Sequence, residues 1–146
     1  MLARIRKSMD EKDQGFTLIE LLVVMIIIGI LSAIAIPVFL SQRTKAREAS
    51  AKSDVSSIGK EIASYYVDGT KDMVVAGATA GGSWTATENT TGATAFATGK
   101  LSAGNTVVAQ KVTNATTYCV AVKSSGADDK AWAFTQEGLI QRATCP

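Results

Sequence analysis

Hydrophobic and polar positions divide the chain into regimes that predict different elements. Residues 16–40 read FTLIELLVVMIIIGILSAIAIPVFL, and across 21–40 Ser32 is the only polar side chain. An apolar run of that length predicts a helix able to cross the hydrocarbon core of a bilayer. From residue 41 the composition turns polar, yet Ala51, Val55, Ile58, Ile62 and Tyr65 recur at alternating steps of four and three. That spacing marks one helical face. Glu48 and Lys52 stand one turn apart as a supporting ion pair, and Asp68-Gly69 supplies a stop whose glycine suits a left-handed cap. Nothing between Leu40 and Asp68 terminates the pattern. It therefore predicts one helix from about Phe16 to Val67, roughly 75 Å long at the usual rise per residue.

The remainder predicts a sheet. Residues 69–105 are rich in Ala, Gly and Thr without a sustained period, which predicts a loop region holding at most a short strand or two. Trp84 and Phe96 serve there either as anchors onto the sheet or as an exposed contact for another molecule. Beyond Asn105 come TVVAQKV, TTYCVAVK, AWAFTQ and LIQRA, four β-branched and aromatic runs that read as antiparallel strands, with 124–130 as one connection and Glu137-Gly138 as a tight hairpin turn. Alternation groups Trp132 with Phe134, and Tyr118 with Val120 and Val122; one of each set should meet the helix stripe. The fold class is α+β, one long N-terminal helix packed on a C-terminal four-stranded antiparallel sheet.

Composition and charge change this picture little. The 146 residues carry a net charge of +2, and the 19% charged content argues against a dedicated nucleic-acid surface. Cys119 and Cys145 lie far beyond the apolar run, where an even count in an exported domain favours a disulfide. Two unpaired buried thiols are the alternative. A bond would close a loop worth about 3 kcal/mol in the chain-entropy account. The first fifteen residues hold Arg4, Arg6, Lys7 and Lys12 against Asp10, Glu11 and Asp13, a short basic-biased leader like the start of a signal peptide. Arg43, Lys45 and Arg47 nearly balance it across the apolar run, so counting basic residues does not set an orientation.

Glu20 is the anomaly, a carboxylate near the start of the apolar run, where hydrocarbon penalises it. It either snorkels or takes up a proton, or it finds a cation when helices bundle. Gly29 and Pro37 weaken the helix between them, which by itself reads as an ordinary kink.

The string Gly15-Phe16-Thr17-Leu18-Ile19-Glu20, followed by an apolar run holding Gly29 and Pro37, resembles the N-terminal third of type IV pilins. The resemblance implies a leader cut by a prepilin peptidase after Gly15, N-methylation of Phe16, and pairing of Glu20 with the Phe16 amine when subunits assemble. It implies that the stretch between Gly29 and Pro37 loses helicity in a filament, and that the Cys119 to Cys145 link forms the C-terminal disulfide region. The resulting organisation is leader 1–15, transmembrane or filament-core helix 16–40, amphipathic second half 41–68, connecting region 69–105 and sheet with disulfide loop 106–146.

Catalysis finds little material. The chain has no His, no cysteine spacing for zinc and no phosphate-binding glycine loop. Asp128-Asp129 reads as a solvated turn rather than a calcium site, since two adjacent carboxylates fall short of a ligand set. Asn89-Thr90-Thr91 and Asn114-Ala115-Thr116 fit the N-linked sequon, a weak signal in a chain that resembles a bacterial pilin, so neither is expected to be modified. The expectation is a non-enzymatic subunit with no cofactor and no metal. It would polymerise with copies of itself into a surface pilus for adhesion, motility or DNA uptake. Its partners would be the prepilin peptidase, the assembly machinery and, before assembly, the cytoplasmic membrane, with the C-terminal domain outside. A pseudopilin of a type II secretion or competence apparatus is one alternative; a monomeric single-pass anchored binding domain is another.

Overall fold

The computed structural model of the protein describes residues 15–77, 80–126 and 130–145. They form helix α1 (Leu18–Tyr65) and strands β1 (Met73–Ala76), β2 (Ser83–Glu88), β3 (Ala95–Lys100), β4 (Asn105–Asn114), β5 (Thr117–Ser124), β6 (Ala131–Thr135) and β7 (Gly138–Gln141). The strands make one sheet in the order β3-β2-β1-β4-β5-β6-β7. Every neighbouring pair is antiparallel. The chain divides into two compact units between Leu40 and Ser41, where the apolar run ends.

In the second unit the predicted helix stripe is the core. Ala51, Val55, Ile58 and Ile62 are buried with Met73, Val75, Trp84, Ala86, Val112, Val120 and Val122. The register pairs Val120 with Phe134 and Val122 with Trp132, so both aromatic sets stand on the same sheet face and both meet the helix. Gly59 lies under the Phe134 ring, which occupies the place a Cβ would take. Glu48 and Lys52 do not serve as a pair along the helix: Glu48 reaches Lys130 at 2.9 Å, and the Lys52 ammonium lies 3.9 Å from the centre of the Trp132 ring. Lys52 therefore binds helix to sheet, and Glu48 binds the helix to the residue just before β6.

Three features differ from the sequence reading. The sheet has seven strands rather than four, because the region read as loop supplies β1, β2 and β3. Apart from Trp84, the inward positions of β2 and β3 are small: Ala86 and Ala97 are paired and buried, and Gly99 sits opposite Trp84, whose indole Nε1 lies 2.6 Å from where a Cβ would be. One large ring thus fills the space of several side chains, and the usual β-branched alternation is missing from the sequence. The helix ends at Tyr65 without a left-handed glycine cap. Val67 N–H and Asp68 N–H bond back three residues, and Gly69 N–H closes on the Tyr65 carbonyl at 2.8 Å. Tyr65 covers the open side of Gly69. The last hairpin turns one residue earlier than predicted, at Gln136-Glu137, with Gly138 at φ 113° opening β7 opposite Thr135.

The other sheet face has its own small core. Cys119, Ala121 and Ala133 are buried there beneath Ala109, Ile140 and Cys145. Trp84 is an anchor in the main core, whereas Phe96 is partly exposed and stacks on Tyr65 at 4.6 Å.

Candidate assembly segment

The segment 15–40 begins with three non-helical residues and then enters α1. Thr17 is the cap. Its hydroxyl accepts from the Glu20 N–H at 3.2 Å, while the Glu20 carboxylate accepts from the Thr17 N–H and from the Thr17 hydroxyl, each at 2.8 Å. This reciprocal arrangement satisfies donors that a helix start leaves open. It also places an acid in the first turn, where the helix dipole favours negative charge. The sequence reading assigned Glu20 a charge role and missed Thr17, although Thr-x-x-Glu ahead of an apolar run is the signature of such a box.

Downstream the side chains find no cover within their own unit. The large apolar residues from Leu18 to Leu40 lie 46–80% exposed. The helix is long and apolar enough to cross a membrane. An unbroken apolar surface of this size requires lipid or other protein.

The predicted site residues fall into three groups. Gly15, Phe16 and Glu20 lie together at the entry to α1, with Phe16 exposed and open space around the Gly15 Cα. Gly29 and Pro37 lie inside the helix, and Gly29 too has open space where a Cβ would stand. Cys119 and Cys145 are joined, with their Cα atoms 5.6 Å apart. The charged residues of the leader, along with Asp128 and Asp129, lie outside the described residues.

Two polar nodes hold the second unit together, and both escaped the sequence reading because their members are far apart in the chain. Asp54 on α1 accepts from the Ser102 N–H at 2.7 Å, the Ser102 hydroxyl at 2.9 Å and the Asn105 Nδ2 at 2.7 Å. This ties the β3–β4 connection to the helix. At the helix end, Lys71 pairs with Glu88 at 2.7 Å and the Tyr65 hydroxyl donates to Glu88 at 2.9 Å. The Lys71 contact, followed by the Tyr65 bond, holds the Glu88 carboxyl below its ordinary value. The Glu88 bond raises Lys71. Desolvation, then the Glu88 bond, raises Tyr65. Among the described residues no group of three or more His, Cys, Asp or Glu side chains could hold a metal ion.

Comparison with known proteins follows the same division. Residues 11–36 match the family model for the prokaryotic N-terminal methylation motif. The major component PilA5 of the type IV narrow pilus of Thermus thermophilus is 39% identical over 88 residues, covering 55% of this chain and 76% of that protein. The type IV major pilin PilA of Myxococcus xanthus is 40% identical over 57 residues, 39% of this chain and 26% of its own length. The type II secretion system core protein G of Pseudomonas aeruginosa is 39% identical over 57 residues, 39% of this chain and 40% of its own length. No solved structure matches the chain significantly. A capped apolar helix carrying the methylation motif, an antiparallel sheet packed on the later part of α1, and similarity along three quarters of a pilus component all agree: the chain belongs to the type IV pilin family.

Proposed function

We propose that this protein is a structural subunit of a bacterial type IV pilus, held in the cytoplasmic membrane by α1 before assembly and polymerising through the same segment. The observation that carries this reading is the uncovered apolar length of α1 with one carboxylate in its first turn. Lipid covers such a surface in the free subunit, and neighbouring helices cover it in a filament. The leader is cut after Gly15 by a prepilin peptidase and the new Phe16 amine is methylated. In support, the start of the described chain at Gly15 is non-helical and, among the described residues, open. The freed amine, which keeps its charge on methylation, then stands one residue from the Thr17 N–H that Glu20 already accepts. A cation there is within reach of Glu20 from the same subunit or from an adjacent one. A buried pair of this kind penalises any register that leaves one charge alone.

The pseudopilin reading is kept alive by the relatedness to core protein G. The pilus reading is favoured because the stretch shared with the pilus component is longer, 88 residues against 57.

Glu20→Gln separates the roles of this residue, since Gln also completes a capping box but carries no charge. Cells making the variant should hold normal amounts of processed subunit, of the mass that starts at N-methyl-Phe16, and yield few sheared surface fibres. Thr17→Ala, which removes the cap and keeps the charge, should assemble. Abundant fibres from Glu20→Gln would remove the charge from the assembly mechanism. A wild-type chain that retains residues 1–15 at the surface would overturn the processing step, and the lack of long fibres from wild type would favour the pseudopilin.

A further inference from the structure

The two sequons differ in geometry. Asn114 ends β4 and pairs with Thr117, so Ala115-Thr116 is the two-residue tip of the β4–β5 hairpin, and all are exposed. The Asn114 Oδ1 accepts from the Thr116 N–H at 3.0 Å and from the Thr116 hydroxyl at 2.9 Å. Among the described residues no protein group is bonded to its Nδ2. Two bonds into the oxygen draw electron density from the amide and make the Nδ2 protons more acidic. At the other sequon Asn89 is also exposed, but no bond joins Thr91 to its side chain among the described residues.

A second feature lies beside Asn114. A cavity of about 300 Å³ is lined by Asn114, Ala115, Tyr66, Asp68 and Thr70. The Tyr66 ring is partly buried, held by an edge contact with Tyr65 and by stacking on Tyr118. An immobilised aromatic ring next to a carboxylate and a hydroxyl suits a sugar, whose C–H face lies on the ring while its hydroxyls bond the polar groups.

We propose that Asn114 is an N-glycosylation acceptor whose first sugar occupies this cavity. The donor class is a glycan on a lipid diphosphate, used by a membrane transferase on the exported side of the bilayer. The bond from Asn114 Nδ2 to the sugar C1 forms as the bond from C1 to the phosphate oxygen breaks. The diphosphate leaves with the electron pair, and a base of the transferase takes one Nδ2 proton. Nothing is oxidised or reduced. The proposal rests on the proposed function, in which the sheet domain lies on the exported side of the membrane.

The test is peptide mapping by mass spectrometry of the full chain extracted from the membranes of its producing cells, with the state of Cys119 and Cys145 read in the same digest. The expected result is an oxidised pair and a glycan mass on the peptide holding Asn114, with the Asn89 peptide unmodified. The mass should vanish in Asn114→Gln and Thr116→Ala and persist in Thr116→Ser. An unmodified Asn114 peptide on an oxidised chain overturns the proposal and leaves the exported placement standing, whereas free thiols at both cysteines overturn the placement as well. Glycan at Asn89 alone, or a glycan that survives Thr116→Ala, also overturns it.

Discussion

Gly59 stands in mid-helix at a cost in helix propensity of about 1 kcal/mol relative to Ala. The reason lies across the interface, where Phe134 uses the space that a side chain would occupy. Single residues in this protein are often explained by such a partner, and the Lys71, Glu88 and Tyr65 group is the electrostatic instance. Glu88 has its carboxyl lowered from 4.5 by Lys71 first and Tyr65 second, so its contribution is present above the ordinary carboxylate range and is lost as pH falls through the folded value. Lys71 is raised from 10.5 by Glu88, so its contribution is complete below that value and is lost as pH rises through the folded one. Stability of the sheet domain should therefore show a plateau between the two limbs. Denaturant titrations followed by the fluorescence of Trp84 and Trp132 should give a shallower acid limb in Glu88→Gln than in wild type. Identical limbs would show that the pair is not coupled to folding.

Helix α1 is one element under two sets of constraints. Before residue 41 its apolar side chains are exposed, and after residue 50 they form a buried stripe. Among the described residues nothing stands where a Cβ on Gly29 would be, and the large apolar side chains of the first part are exposed. The second part is bound by Asp54, by Glu48 and by the Ile58 and Ile62 side chains. Ile58→Ala should thus lower the unfolding free energy of the domain by about 2–5 kcal/mol, as cavity-forming changes do. Ile34→Ala, in the same helix and exposed, should leave it within about 0.5 kcal/mol. Denaturation of the detergent-solubilised chain measures both, and equal losses would mean that the two parts unfold as one body.

Within the sheet domain as a whole, the C-terminal tail is secured by the disulfide over a patch of small residues rather than by a large core of its own. Cys119, Ala121 and Ala133 offer little apolar area for it to hold. Cys145→Ser should therefore cost about 2–4 kcal/mol. It should also speed amide exchange in 139–145 more than in the helix stripe, as hydrogen-exchange mass spectrometry would reveal; uniform acceleration would mean that the bond supports the main core instead. The membrane-length helix, its buried stripe, the strands β4 to β7 and the family motif were all legible from the chain alone. Each rests on a local period or spacing, and such signals survive without knowledge of what they pack against. Strands β2 and β3 were not legible, since beside Trp84 their inward positions are Ala and Gly, and β1 was not, since it is only four residues long with Met73 and Val75 turned inward. Nor were the partners of Asp54 and Glu48, which lie 48 and 82 residues away. Only the folded chain decides such pairings, because many Ser, Asn and Lys side chains satisfy an acid equally well in sequence and just those brought within hydrogen-bond distance do so in space.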